Sequence, residues 1–116
     1  DLGTGALDDA VGVAMAMHQA GSPISMLANV HCAAATENFL VLENHCVDIE
    51  KWQNMLTGLP EEFIKDGHIQ VPDKPGLGFD DINEEVFKEF LDLRSPGFFE
   101  STEAWDKDWS HDRLWS

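Results

Sequence analysis

Two apolar segments separated by a helical pattern constrain the fold of this chain most. Residues 11–17 (VGVAMAM) and residues 38–43 (NFLVLE) show no alternation of polar and apolar side chains. Continuous apolar runs of this length are typical of strands that are buried on both faces, as in a parallel sheet. His18 follows the first run and Glu43 ends the second. The sequence therefore predicts two buried strands, each with an ionisable residue at its end.

A helix is predicted between these strands. Gly21-Ser22-Pro23 is a typical helix start, because serine is a favoured N-cap residue and proline is tolerated in the first turn. Apolar residues then recur at helical spacing as far as Ala35. Strand, helix and strand in this order indicate an α/β fold. An ionisable residue at the C-terminal end of a barrel strand indicates a catalytic role.

The second half of the chain has a different pattern. Residues 62–71 predict a β-hairpin with Asp66-Gly67 at its turn. An irregular connector at residues 72–78 leads to an amphipathic helix at residues 81–93. A short helix is also expected at residues 47–56. Beyond these elements the tail carries three tryptophans among charged residues, and we expect it to dock onto another domain or subunit: Trp105, Trp109 and Trp115.

Composition limits the possible partners. The 116 residues include 22 acidic and 7 basic side chains, for a net charge of −15. Nucleic acids and anionic membrane surfaces need a cationic patch, so neither is expected as a partner. No segment reaches the roughly 18 apolar residues of a membrane span. Cys32 and Cys46 form no C-x-x-C pair, which favours a reducing, cytoplasmic location.

Three motifs resemble one known family: MAMHQAGSPIS at residues 15–25, NVHCAAATENFLVLENH at residues 29–45, and PDKPGLG at residues 72–78. The chain is similar to the mandelate racemase/muconate lactonizing enzyme branch of the enolase superfamily, and within it to sugar-acid dehydratases. The resemblance implies the C-terminal part of a (β/α)8 barrel of the TIM type. Residues 1–58 would form the last βα units. Residues 59–116 would form a hairpin, a helix and an aromatic tail that pack on a capping domain.

The resemblance also implies a reaction and a set of site residues. In this superfamily a base removes the proton α to a carboxylate, and Mg²⁺ stabilises the resulting enediolate. The motif positions give His18 the role of acid or base, Asp1 that of its hydrogen-bond partner, and Glu43 that of a contact to the substrate carboxylate region. His45 is a candidate for substrate binding. The Mg²⁺ ligands are expected outside this chain.

The expected activity is that of a lyase within a longer parent chain, since a TIM barrel needs about 250 residues. It would dehydrate an aldonate or aldarate to a 2-keto-3-deoxy acid. The protein would act on a small-molecule sugar acid and form a homo-oligomer. A cycloisomerase or racemase of the same superfamily is the nearest alternative, because these enzymes share the enediolate. A non-catalytic barrel fragment that serves in assembly is the second alternative.

Two further histidines have simpler interpretations. His31 lies within the predicted helix and is expected to be a packed helix residue, whereas His68 follows the hairpin turn and is expected at the surface. Two His-Cys pairs could suggest zinc, but they lack the tight ligand spacing of structural zinc sites. The sequence therefore assigns no metal ligand to this chain.

Overall fold

A computed structural model describes residues 10–91, in which two parallel strands are joined by a helix. Strand β1 comprises Met15–Met17, helix α1 comprises Pro23–Ala34, and strand β2 comprises Phe39–Leu42. The predicted order of strand, helix and strand is confirmed, although both strands are shorter than the apolar runs. Parallel strands need a crossover of this kind, because a tight hairpin can join only antiparallel strands.

The pairing of β1 with β2 contains a bulge. Met15 pairs with Phe39, whereas Ala16 pairs with Val41, so Leu40 is an extra residue on β2. The regular register resumes when Met17 pairs with Leu42. A bulge of this kind places two residues of one strand opposite one residue of its partner, and it is uncommon between parallel strands.

Helix α1 begins where the sequence predicts. Ser22 has extended backbone angles, and its carbonyl oxygen accepts a hydrogen bond from Met26 N at 3.1 Å. Ser22 is the N-cap residue, as the sequence predicts, although its hydroxyl makes no capping hydrogen bond. Pro23 nevertheless begins the helix, as its fixed φ angle favours. Met26 and Leu27 are almost completely buried and turn this face of the helix toward the interior.

Short elements form the second half of the described chain. Two strands, β4 (Ile64–Lys65) and β5 (His68–Ile69), form an antiparallel pair. Asp66 and Gly67 lie at its turn, and both have positive φ angles of 50° and 73°. Two-residue hairpin turns with two positive φ angles favour this Asp-Gly pair. The hairpin therefore lies at the position that the sequence predicts.

Two predicted helices differ from the structure. Residues 47–56 were expected to be helical, but only a 3-10 helix forms, at Trp52–Met55. Lys51 before it has a left-handed φ angle of 60°, which an α-helix cannot contain. The helix is followed by β3 (Leu56–Thr57), which pairs antiparallel with β6 (Asp81–Ile82).

The same pairing shortens the last predicted helix. Because Asp81 and Ile82 belong to a strand, helix α2 begins only at Glu84 and comprises Glu84–Glu89. The Asn83 side chain caps it by accepting a hydrogen bond from Val86 N at 3.4 Å. The predicted tail with its tryptophans lies outside the described residues, as does the beginning of the chain.

One apolar cluster joins the two halves. Its buried members come from α1, from the loop after β2, from the 3-10 helix and from the loop before β4: Met26, Val30, Cys46, Trp52, Met55 and Phe63. The rings of Trp52 and Phe63 stack with their centroids 5.9 Å apart. Trp52 Nε1 also donates to the carbonyl oxygen of Gly21 at 3.1 Å. The cluster thus attaches the second half of the chain to the start of α1.

Apolar residues of both strands and of the loop after β2 are uncovered within residues 10–91. Leu40, Val41 and Val47 are 67%, 50% and 84% exposed, and Ala16 is exposed as well. The prediction of strands buried on both faces is therefore wrong for the described part of the chain. The physical reason is that a single helix and two strands cover only one side. An apolar groove of about 760 Å³ runs between α1, β2 and the hairpin.

The helices in the described range are short. The longer of the two, α1, has 12 residues, and no helix found among residues 10–91 combines the length and hydrophobicity that crossing a bilayer requires.

A buried glutamine connects the ends of β1 and β2. Gln19 is only 2% exposed although its side chain is polar. Its amide nitrogen donates to Ser25 Oγ at 2.8 Å, and its amide oxygen accepts from Asn29 Nδ2 at 2.8 Å. Its backbone oxygen accepts from His45 N at 3.0 Å. Gln19 therefore fixes the loop after β1 to α1 and to the loop after β2.

We predict that Gln19→Ala lowers the free energy of unfolding by about 1–3 kcal/mol, because it removes the hydrogen bonds of a buried side chain to Ser25 and Asn29 and leaves a cavity in its place. Urea denaturation followed by circular dichroism measures the change. Gln70→Ala is the matched control, since Gln70 is exposed and its loss is expected to change stability by less than about 0.5 kcal/mol. Equal effects of both substitutions would contradict the assigned role of the glutamine.

Candidate functional site

The two residues that follow the parallel strands lie in contact. His18 comes directly after β1 and Glu43 directly after β2. Glu43 N donates to Met17 O at 2.8 Å, which holds the strand ends level with each other. His18 Nδ1 lies 2.7 Å from Glu43 Oε2, a short hydrogen-bonded ion-pair distance. The bulge at Leu40 contributes to this alignment, because it advances β2 by one residue relative to β1.

His45 completes the group on the other side of the carboxylate. Its Nε2 lies 3.1 Å from Glu43 Oε1, so each carboxylate oxygen faces a different imidazole. The rings of His18 and His45 are inclined at 56°, with their centroids 4.9 Å apart. Each of the three side chains is more than half exposed within the described part of the chain. Together they form an open polar cluster, which we call the His-Glu-His cluster.

Hydrogen bonding favours the ionised form of Glu43. The hydrogen bond from His18 lowers the pKa of Glu43 below its usual 4.5, and that from His45 lowers it further. The carboxylate therefore stays ionised and accepts from both imidazoles. When neutral His18 donates through Nδ1, its Nε2 carries the lone pair. This arrangement directs a proton-accepting nitrogen away from Glu43 and toward the open side of the cluster.

The other predicted residues have separate positions. Asp1 lies outside the described residues, so its role as a partner of His18 stays a prediction. His31 Nε2 lies 3.3 Å from Leu77 O and connects α1 to the connector at residues 72–78. His68 donates through Nδ1 to Asp66 O at 2.7 Å, within the exposed hairpin. These two histidines have the structural roles that the sequence predicts.

Sequence reasoning missed two features of the cluster. It did not predict that His18 and Glu43 would touch, although the carboxyl ends of neighbouring parallel strands lie at the same edge of a sheet. It also missed Gln19, because a glutamine in a loop is usually exposed. The sequence does contain a signal that His45, already a candidate for substrate binding, lies near Glu43. His45 follows Glu43 by two residues, and in extended backbone such residues project to the same side.

The cluster also has the composition of a metal-binding group. One ligand atom from each of His18, Glu43 and His45 lies within 4.8 Å of the others, and residues 10–91 contain no other group of three such side chains. Two imidazole nitrogens and one carboxylate do not suit Mg²⁺, which prefers octahedral oxygen ligands. The His-Glu-His cluster is therefore not a magnesium site.

Comparisons with known proteins agree on one family. The family model described as enolase C-terminal domain-like matches residues 4–86. A D-xylonate dehydratase of Haloferax volcanii is 38% identical over 72 residues, which are 62% of this chain and 17% of that protein. A D-galactonate dehydratase family member of Enterococcus gallinarum is 36% identical over 86 residues, which are 72% of this chain and 21% of that protein.

A solved structure shows the same fold. The mandelate racemase/muconate lactonizing enzyme-like protein of Rubrobacter xylanophilus superposes with a TM-score of 0.76 at 31% sequence identity, over 85% of this chain and 25% of that one. This chain thus spans about a quarter or less of the length of these relatives. The family model covers well over half of the chain, and the superposition agrees with it. The chain therefore belongs to the enolase C-terminal domain-like family, as the resemblance of its motifs implies.

Proposed function

We propose that this chain is the C-terminal part of a sugar-acid dehydratase, a lyase that converts an aldonate or aldarate to a 2-keto-3-deoxy acid. The observation that carries the proposal is the contact between His18 and Glu43 at the ends of adjacent parallel strands. The relatives support it, because their names refer to dehydratases of D-xylonate and D-galactonate. Both are aldonic acids, which carry an α-hydrogen and a β-hydroxyl group.

The proposed reaction is an elimination in which atoms and charges balance. A base removes the α-proton. The electron pair of the broken C–H bond then forms a double bond between the α-carbon and the β-carbon. The bond from the β-carbon to its hydroxyl oxygen breaks, and the hydroxyl group takes a proton and leaves as water. The enol that remains gains a proton at the β-carbon and loses the proton of its enol hydroxyl group as it becomes the 2-keto-3-deoxy acid. Positioned acids and bases accelerate such proton transfers by about 10²–10⁴-fold.

His18 is assigned one of these proton transfers. Its Nε2 carries a lone pair in the tautomer that donates Nδ1–H to Glu43, so it can accept the α-proton. The protonated ring can in turn donate from Nε2 to the departing hydroxyl group. Glu43 fixes the tautomer and stabilises the imidazolium that forms, as carboxylates do beside catalytic histidines. Asp1 remains a proposed hydrogen-bond partner of His18, and it would share the same Nδ1–H with Glu43.

Glu43 and His45 are assigned to substrate positioning as well. The carboxylate of Glu43 is exposed and can accept hydrogen bonds from sugar hydroxyl groups. His45 holds the second oxygen of that carboxylate and faces the same open side of the sheet.

The rest of the enzyme is proposed to lie outside the described residues. Its Mg²⁺ would be held there and would supply electrostatic stabilisation of the substrate carboxylate. The apolar outer surface of β2, with Leu40 and Val41 half or more exposed, supports further barrel strands and helices as its cover. We also propose a homo-oligomer in the cytoplasm. Cycloisomerases and racemases share the first proton transfer, but the names of the relatives favour dehydration.

We predict that His18→Asn lowers kcat for dehydration by about 10²–10⁴-fold, because it removes the proton-carrying nitrogen. The assay measures 2-keto-3-deoxy acid formed by the full-length protein from D-xylonate, D-galactonate and a panel of other sugar acids with Mg²⁺. His68→Asn is the control, since it removes an exposed histidine far along the chain, in the hairpin. Retention of wild-type activity by His18→Asn would refute the role of His18. If the wild-type protein converts none of the sugar acids in the panel, the proposed dehydratase activity is refuted.

A second prediction concerns the charge of Glu43. Carbon-13 NMR of the side-chain carboxyl is expected to show a pKa below 4.5, so the group stays ionised as the pH falls through the range in which free glutamate takes up its proton. His18→Asn and His45→Asn should each raise this pKa, with the larger effect from His18. The same titration in His68→Asn should be unchanged. An ordinary pKa in the wild-type protein would contradict the double hydrogen bond.

A further inference from the structure

We propose that the His-Glu-His cluster binds a divalent transition-metal ion of the zinc type, at a site separate from that of the catalytic Mg²⁺. Its ligands would be His18 Nδ1, Glu43 and His45 Nε2, the atoms that already face one another. The proposal concerns the same residues as the proposed reaction but does not require that reaction for binding itself.

The donor set favours zinc over magnesium. Two imidazoles and one carboxylate form a recurrent zinc ligand set that leaves the fourth position open to water or substrate. Imidazole nitrogen suits zinc, copper, nickel and iron, whereas carboxylate, carbonyl and water oxygens suit magnesium and calcium. An excess of Mg²⁺ is therefore not expected to displace an ion from this cluster.

The spacing requires only a small adjustment. Ligand atoms bound to one tetrahedral zinc ion at about 2.0–2.2 Å lie about 3.3–3.6 Å apart. The three atoms lie within 4.8 Å of one another. Closure of the site therefore shortens the longest of these separations by up to about 1.5 Å, which the side chains can share. Each side chain is more than half exposed among the described residues, which leaves room for such rotations.

The backbone that carries the ligands is held firmly. Glu43 N donates to Met17 O at 2.8 Å, and His45 N donates to Gln19 O at 3.0 Å. These bonds connect the ends of β1 and β2 on both sides of the ligands. The buried side chain of Gln19 adds its own hydrogen bonds to α1. A site whose ligands are already positioned loses less conformational entropy on binding than a site that must be assembled.

Metal binding requires the tautomer of each neutral imidazole that leaves the coordinating nitrogen without a proton. The coordinating nitrogens would be His18 Nδ1 and His45 Nε2, which face Glu43 in the free cluster. In the metal-bound cluster His18 would then carry its proton on Nε2 and His45 on Nδ1. Glu43 already has the ionised form that coordination needs.

Inhibition is the functional consequence, and this step rests on the proposed function. Zinc-bound His18 would hold a proton on Nε2 and could no longer accept one from the substrate. Zn²⁺ should therefore inhibit dehydration even when Mg²⁺ is in excess, and sugar acids should compete with it. The proposed regulator is thus a free transition-metal ion that binds directly to the catalytic histidine.

The test is a titration of the full-length protein with zinc chloride in excess Mg²⁺, measured by competition with a chromophoric chelator. Cobalt(II) chloride provides a second readout through the visible absorption of a low-coordinate site. We expect one ion per chain. Glu43→Gln and His45→Asn should each weaken zinc affinity by more than the roughly 10–100-fold that loss of an outer-shell partner costs.

Two controls assign the ion to the cluster. His68→Asn and Cys32→Ser remove metal-binding side chains elsewhere and should leave the affinity unchanged. Circular dichroism checks that each variant is folded. The proposal is overturned if the wild-type protein binds no zinc. It is also overturned if the cluster variants and the control variants lose zinc affinity to the same extent. If the protein binds zinc with the expected pattern but has no dehydratase activity, the proposed function alone is refuted. If the protein is an active dehydratase that neither binds zinc nor is inhibited by it, this inference alone is refuted.

Discussion

Parallel pairing of β1 with β2 is the interaction on which the rest of the structure depends. It is possible only because α1 returns the chain to the starting edge of the sheet. The pairing brings the residues after both strands together, and it orients α1 so that Met26 and Val30 join the core. Trp52 then packs into the same core and attaches the second half of the chain. The contact between His18 and Glu43 is thus a consequence of strand pairing and not of local sequence.

Sequence alone predicted the elements whose signals are local. Pro23 marks the beginning of α1, and Asp66-Gly67 marks the hairpin turn, because both depend on backbone angles that few residues adopt. It failed at residues 47–56 and at Asp81, where pairing across the chain decides the structure. His18, Glu43 and His45 were singled out from motifs, but their mutual contacts depend on register, which no single segment encodes. Asp1 was also singled out, and it lies outside the described residues.

Charge and burial are distributed unequally around the site. Gln19 is buried and fully occupied with hydrogen bonds, whereas the adjacent His18 is open to ligands. A rigid support next to an accessible reactive group is a general requirement for catalytic sites. The apolar surface of β2 lies on the same strand as Glu43, so whatever covers Leu40 and Val41 also determines how much water reaches the carboxylate.

The bulge at Leu40 makes the site sensitive to chain length as well as to residue type. Side chains of a strand alternate between the two faces of a sheet, so a shift of one residue reverses every orientation that follows. A protein that lost the extra residue opposite β1 would keep His18, Glu43 and His45 in its sequence. The side chains of Glu43 and His45 would nevertheless no longer lie on the same side of the sheet as that of His18. Among relatives, an alignment without gaps through residues 39–42 is therefore a better sign of a shared site than the presence of the three residues alone.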